Sequence, residues 1–305
     1  MHAKHYPSAK LIAKLENSGR LIAGAAKLSI SPRELEGILE KMSEDKAEEW
    51  VRELVRRGHG SPLEHSLYVF EVVCSRVCSH QLVRHRHASF TQLSQRYSDR
   101  YLRGVVARAR EVLGGDTSGL DEVAVLDKLI GADLDFNTLL SIVGEGFIVP
   151  PRVIELKDSF FLKKLAEGVR NYYISLRSGV GYEDARFLLP QAVKTRLVFS
   201  ANARELLEVF IPLRTCSRAQ WEIRWVAWMV REELVKAEPM VFKYAGPRCV
   251  LAENRVRANP CSLEDFIEGR CSFTIERCPE LVPNHRIRDC LVSSVTDYLR
   301  NIHGI

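Results

Sequence analysis

Residues 84–96 read Arg84-His85-Arg86-His87-Ala88-Ser89-Phe90-Thr91-Gln92-Leu93-Ser94-Gln95-Arg96. Three permanent cations, two histidines and a run of hydroxyl and amide groups fall in one short stretch. An arginine keeps its charge in a protein, and its planar fork matches phosphate oxygens. So much fixed positive charge calls for an anion. The ordinary reading of such a run is a solvated basic surface. The interleaving of Ser89, Gln92 and Ser94 with the cations points instead to a pocket wall. Ser94 as a nucleophile would need a base beside it. His85 and His87 are near it only in sequence, so Ser94 reads as a ligand.

Three further segments lie around this stretch. One is Gly58-His59-Gly60-Ser61-Pro62-Leu63-Glu64-His65. The second is Asp184-Ala185-Arg186, with Pro190 after it. The third is Asn202-Ala203-Arg204, followed by Arg214 and by Ala219-Gln220-Trp221-Glu222-Ile223-Arg224. Arg84-His85-Arg86, seven residues, then Ser94 and Arg96 resembles the RHR-x7-S-x-R signature of flavin-dependent thymidylate synthases. The other segments stand in the order which that family shows.

The resemblance implies a reaction, its cofactors and its ligands. The reaction is reductive methylation of deoxyuridine monophosphate (dUMP) to deoxythymidine monophosphate (dTMP). Methylenetetrahydrofolate is the one-carbon donor, and NADPH is the reductant through FAD. Ser61, Arg84, His85, Arg86 and Gln92 are implied flavin ligands, with His59 and Glu64 lining the same pocket. Asn202, Ala203 and Arg204 resemble a second flavin segment contributed by a neighbouring subunit. Gln81, Leu82, Val83, Arg84, Gln92, Leu93, Ser94, Gln95, Arg96 and Arg186 resemble the dUMP ligands. Arg214 matches the arginine implicated in ionising N3 of uracil, and it contacts substrate too. Cys216 receives no catalytic role, because this family does not use a cysteine nucleophile.

One departure stands out. Between Asn202 and Arg214 the chain has one residue more than compact members. The family's flavin ligand in that span falls on Glu208 counted forward or on Val209 counted backward, and the site assignment uses Glu208. A helix bulge near Pro212 would absorb the extra residue.

The composition fits these expectations. The chain has 305 residues, 46% hydrophobic and 27% charged, with a net charge of +5. That suits a globular protein handling nucleotides and folate, and it falls short of a dedicated nucleic-acid binder. No apolar run reaches the roughly 18 residues needed to span a bilayer. The start, Met1-His2-Ala3-Lys4-His5, does not read as a signal peptide, so a cytoplasmic location is expected. Asn and Gln are scarce and Arg is abundant, which hints at a thermophilic source. Five of the eight cysteines (Cys249, Cys261, Cys271, Cys278, Cys290) crowd the end of the chain. Buried free thiols are expected first, disulfides second and a metal site last, and no metal is assigned.

Local patterns suggest the elements. Ser31-Pro32 predicts one helix start and Ser43 another, the second stopped by Gly58. Residues 66–73 read as a strand and 74–83 as a helix. Residues 99–145 read as an insertion with some helix of its own. The spacing of Phe161, Leu165, Val169, Tyr172 and Leu176 predicts a helix over 159–177. Helices are also expected over 183–189, from 203 toward Pro212, and over 217–236. Trp221, Trp225 and Trp228 make a stripe of core or interface type. From about residue 246 to 305 the pattern is of low periodicity.

The fold class expected is α+β, a mixed sheet flanked by long helices in the thymidylate synthase-complementing fold. A single catalytic domain over 1–305 is expected. The resemblance implies a homotetramer with active sites at subunit junctions, and no nucleic acid or membrane as partner. Two rivals are a non-catalytic flavin-binding paralogue and a nucleic-acid module built on the basic cluster.

Overall fold

The computed structural model describes residues 4–304. The fold is α+β and predominantly helical, with one antiparallel sheet of four strands. The strands are β1 (Ser8–Lys14), β2 (Tyr68–Ser75), β3 (Ala88–Gln92) and β4 (Lys194–Ala201), in the order β1-β2-β4-β3. The sheet is therefore antiparallel and not the mixed sheet expected from sequence. The reason is visible along β2, where Tyr68, Phe70 and Val72 are buried and alternate with half-buried neighbours. That period suits a sheet covered on one face, whereas parallel strands are buried on both.

The chain divides into two compact units. One comprises residues 4–8, 73–81 and 91–197; the other comprises 9–72, 82–90 and 198–304. In the first, helices Arg100–Leu113, Glu122–Gly131 and Phe136–Val143 occupy the insertion. Their apolar stripes pack with helix Ser159–Arg177 into one core containing Val105, Leu126, Leu139, Leu162 and Val169. Each such side chain, fully buried, contributes about 1.5–3 kcal/mol. The insertion is thus a folded helical layer, more ordered than its mixed sequence suggested.

In the second unit, helix Glu44–Arg57 begins where Ser43 accepts a hydrogen bond from the Lys46 N–H and ends at Gly58, with φ of 70°. Acidic Glu44 and Asp45 open it and basic Arg56 and Arg57 close it, which complements its dipole. The Ser31-Pro32 start does not form. Helix Leu35–Glu40 begins later, and the Ser31 hydroxyl accepts from the Arg33 N–H at 3.3 Å to close a turn instead. Helix Trp221–Ala237 also starts late. Gln220 caps it, and Trp225 and Trp228 are buried as the stripe predicts. The tail is more regular than its pattern, with helices Arg248–Val256, Leu263–Glu268 and Asn284–Tyr298. It also holds a disulfide, Cys261–Cys271, where free thiols were expected first. No helix among the described residues is long and apolar enough to cross a membrane.

The sheet's contribution to the second unit is an aromatic column. Phe199 of β4 stacks on Phe70 of β2 at 5.9 Å and on Phe90 of β3 at 5.2 Å. It also meets Phe210 at 5.2 Å. Such pairs add about 0.5–1.5 kcal/mol each beyond their burial.

The first unit buries an unusual cation. The Lys194 ammonium donates to the carbonyl oxygens of Lys4, Gly144 and Glu145, and burial lowers its pKa to about 8. His5 lies in the same surroundings. Burial first, and the Lys194 charge second, lower its pKa to about 4. Its folded pKa is below its unfolded value of 6.5, so the unfolded chain takes up the extra proton as pH falls. Stability from this group is present above pH 6.5 and is lost as pH drops toward 4. With allowance for solvent screening of a half-buried ring, the loss is on the order of 1–2 kcal/mol. Thermal melts across that window should show His5→Phe losing less stability than the wild type by about this amount. Parallel curves would show that His5 titrates normally.

Candidate active site

The turn after helix Arg76–Leu82 carries the basic motif. Arg84 and Arg86 are exposed, while His85 between them turns inward and is only 4% exposed. Its ring packs edge-on against Phe210 at 5.1 Å, so the aromatic column supports it. Both ring nitrogens are engaged. Nδ1 lies 2.8 Å from a carboxylate oxygen of Glu205, itself 3% exposed. Nε2 accepts from Arg214 Nε at 3.1 Å. An arginine nitrogen can only donate, so Nε2 must be the bare nitrogen and Nδ1 carries the proton toward Glu205. The result is a buried relay, Glu205–His85–Arg214, that fixes one edge of the guanidinium.

The backbone beneath this relay is irregular in a specific way. Residues Glu205–Phe210 form a π-helix, and a short helix Ile211–Arg214 follows, with Pro212 in its first turn. A π-turn holds one residue more than an α-turn. The extra residue between Asn202 and Arg214 is therefore absorbed just before the proline, whose missing N–H could not have continued a regular helix. Arg214 ends the short helix and Glu205 begins the π-turn, and both reach His85.

The Asn202-Ala203-Arg204 segment leads into the same turn. Asn202 Oδ1 accepts from the Glu205 N–H at 2.9 Å, and the Ala203 N–H donates to Ser66 Oγ at 2.8 Å. Arg204 is exposed and bridges Glu64 at 2.5 Å and Glu208 at 3.2 Å. Glu208 also accepts from Arg255 at 2.8 Å. A Cβ on Gly60 would come within 2.5 Å of Arg204 Nε, so a larger residue there would push the arginine off its present path. Beside it a cavity of about 720 Å³ is lined by Trp50, Arg57, His59, Ser61, Pro62 and His65 among others. That is the size and mixed character of a cofactor pocket.

In the first unit lies a polar group built on β3 and β4. The Gln92 amide donates to Ser79 Oγ at 3.1 Å and to Thr195 Oγ1 at 3.0 Å. The Leu93 N–H donates to the Arg196 carbonyl at 2.8 Å, and Ser94 Oγ accepts from the Arg96 N–H at 3.2 Å. Arg96 pairs with the Glu183 carboxylate at 3.3 Å, while Arg186 Nε donates to the Glu183 carbonyl at 2.9 Å. Arg76, half-buried, has its pKa lowered, first by burial and then by the like charge of Arg186. Like charges held together in partial burial are what an anion would relieve.

Several motif residues stand elsewhere than a ligand list suggests. Leu82 is fully buried and serves the core, whereas Val83 beside it is exposed. His85 faces inward, and Glu208 is committed to two arginines. Four residues were missed from sequence: Glu205, Arg76, Ser79 and Thr195. Glu205 could have been noticed as a carboxylate at the head of the mainly apolar run Leu206-Leu207-Glu208-Val209-Phe210-Ile211. The others carry no local signal.

A small antiparallel sheet with its helices, and an arginine held by a buried relay, define an α+β protein with a pre-built polar site. A profile described as thymidylate synthase complementing protein matches residues 10–240. The chain is 43% identical to the flavin-dependent thymidylate synthase of Aeropyrum pernix over 299 residues, covering 93% of this chain and 92% of that one. It is 36% identical to the enzyme of the same name from Saccharolobus solfataricus, covering 94% and 96% of the two chains. The Pyrococcus furiosus protein of that name is 38% identical over 218 residues, covering 69% of this chain and 73% of its own. The chain belongs to the flavin-dependent thymidylate synthase family.

The relay can be tested directly. Glu205→Ala leaves the buried His85 N–H without its acceptor and should cost about 1–3 kcal/mol in denaturant unfolding. Turnover should fall about 10–100-fold as Arg214 loses its aim, with Glu205→Gln restoring most of the stability. Full turnover in a folded Glu205→Ala variant would show that Arg214 is positioned by other contacts.

Proposed function

We propose that this chain catalyses reductive methylation of dUMP to dTMP, with methylenetetrahydrofolate as one-carbon donor and NADPH as reductant through FAD. The observation that carries this reading is Arg214 held through its Nε by the buried His85–Glu205 pair. A guanidinium fixed in advance stabilises a charge that develops on substrate without reorganising at the moment of reaction. Uracil needs this help, because ionisation at N3 pushes electron density toward its fifth carbon.

The flavin reading rests on the cavity at Ser61, whose wall holds two serines, two histidines, an indole, Glu49, and Arg57 paired to Glu53. The indole and the apolar side chains of that wall suit a flavin ring, and the pyrophosphate falls to the motif arginines outside it. Ser61, Arg84 and Arg86 are the ligands this reading assigns from the motifs, with Asn202, Ala203 and Arg204 supplied by a neighbouring chain of a homotetramer. Glu208, neutralised by Arg204 and Arg255, is compatible with an anionic cofactor where an unpaired carboxylate would not be. Bound flavin supplies the carriage of hydride and one-carbon unit.

The dUMP phosphate falls to Ser94, Arg96 and Arg186, to which Arg76 adds charge. Gln81, Gln92, Leu93 and Gln95 complete the nucleotide ligands, and the backbone around Leu82 and Val83 carries the turn that presents Arg84. Charge-assisted bonds of this kind contribute about 1.5–3 kcal/mol each.

Two substitutions separate these roles. Arg214→Ala should keep its flavin spectrum while dTMP formation falls about 100–1,000-fold; normal turnover would remove Arg214 from the chemistry. Arg186→Ala should raise the KM for dUMP by about tenfold or more with little change in kcat. An unchanged KM would take Arg186 off the phosphate.

A further inference from the structure

Cys216, Cys249, Cys278 and Cys290 come from four separate parts of the second unit, yet they line one narrow cavity. All four are free thiols, although Cys261 and Cys271 in the same tail are joined. We propose that these four cysteines are the ligands of an iron–sulfur cluster of the four-iron cubane type.

Three observations support a cluster over the alternatives. The first is spacing. A single zinc ion with bonds of about 2.3 Å would draw its tetrahedral sulfurs to about 3.8 Å apart. Among the described residues, no three of these four sulfurs lie mutually within 4.8 Å. They line one cavity without the close clustering that a single zinc ion needs.

The second is the company of the sulfurs. The Val282 N–H donates to Cys278 Sγ at 3.4 Å, and Ser217 Oγ lies 2.9 Å from Cys290 Sγ. Backbone N–H groups of Arg218 and Val250 reach the sulfurs of Cys216 and Cys249. Donors aimed at each sulfur stabilise thiolates and tune a cluster's potential. Cys278 is followed by Pro279, as is the last cysteine of bacterial ferredoxin motifs.

The third is charge. Four thiolates around the cube make an anionic assembly. Arg218 and Arg248 line the cavity, with Glu280 paired to Arg248 at 2.7 Å, and Val282, Ile287 and Leu291 keep it partly dry. On cluster binding each thiol gives its proton to solvent, and its sulfur donates an electron pair to one iron. Cys216 lies two residues beyond Arg214, so the cluster would anchor the tail beside the proposed catalytic arginine.

The test is iron and acid-labile sulfide analysis of the full chain purified without oxygen, with electron paramagnetic resonance after dithionite reduction. The expected result is on the order of four irons and four sulfides per chain, with a low-temperature cluster signal distinct from any flavin radical. Cys249→Ser should lose the iron while keeping the flavin spectrum and helical circular dichroism, and Cys261→Ser should keep the iron. Bound zinc without iron, a disulfide among these four by mass spectrometry, or four thiols titrating in the iron-free native wild type would each overturn the proposal. The wild-type analysis decides the matter even if Cys249→Ser fails to fold.

Discussion

The site depends on the placement of one neutral imidazole. His85 accepts from Arg214 and donates to Glu205, and both His85 and Glu205 are buried. Inside the protein an unmet donor or acceptor costs about 1–3 kcal/mol, so the three groups hold one another to a single arrangement. The aromatic column from Phe70 through Phe199 to Phe210 backs the ring. The π-turn brings Glu205 and Arg214 to its two nitrogens. Sheet packing and helix irregularity thus end in the orientation of one guanidinium.

That dependence explains what could be read in advance. Features set by neighbouring residues were legible: the Ser43 cap with its Gly58 stop, helix Ser159–Arg177, and the bulge implied by one extra residue before Pro212. Features set by distant partners were not. His85 sits between two exposed arginines, and only the burial of Phe210 and Glu205 turns it inward. Ser31 and Pro32 satisfy the local rule for a helix start, but the hydroxyl meets the Arg33 N–H and closes a turn. Arg76, Ser79 and Thr195 join the polar group of the first unit from residues that carry no motif.

The cysteines teach the same lesson over a longer range. Cys216 precedes the long helix Trp221–Ala237, and the other three are spread through the tail, so no short spacing marks them. Their common cavity exists because helices Arg248–Val256 and Asn284–Tyr298 return to the segment after Arg214. The low periodicity of the tail reflects helices that are short or only partly covered. It does not reflect a lack of structure.

The most direct test of the central claim uses the intact protein with its flavin, reduced by NADPH in the absence of oxygen and then given dUMP and methylenetetrahydrofolate. The account predicts that the flavin absorbance returns to its oxidised form as dTMP appears in equal amount, and that neither change occurs without dUMP. A flavin that stays reduced, with no dTMP formed, would contradict it.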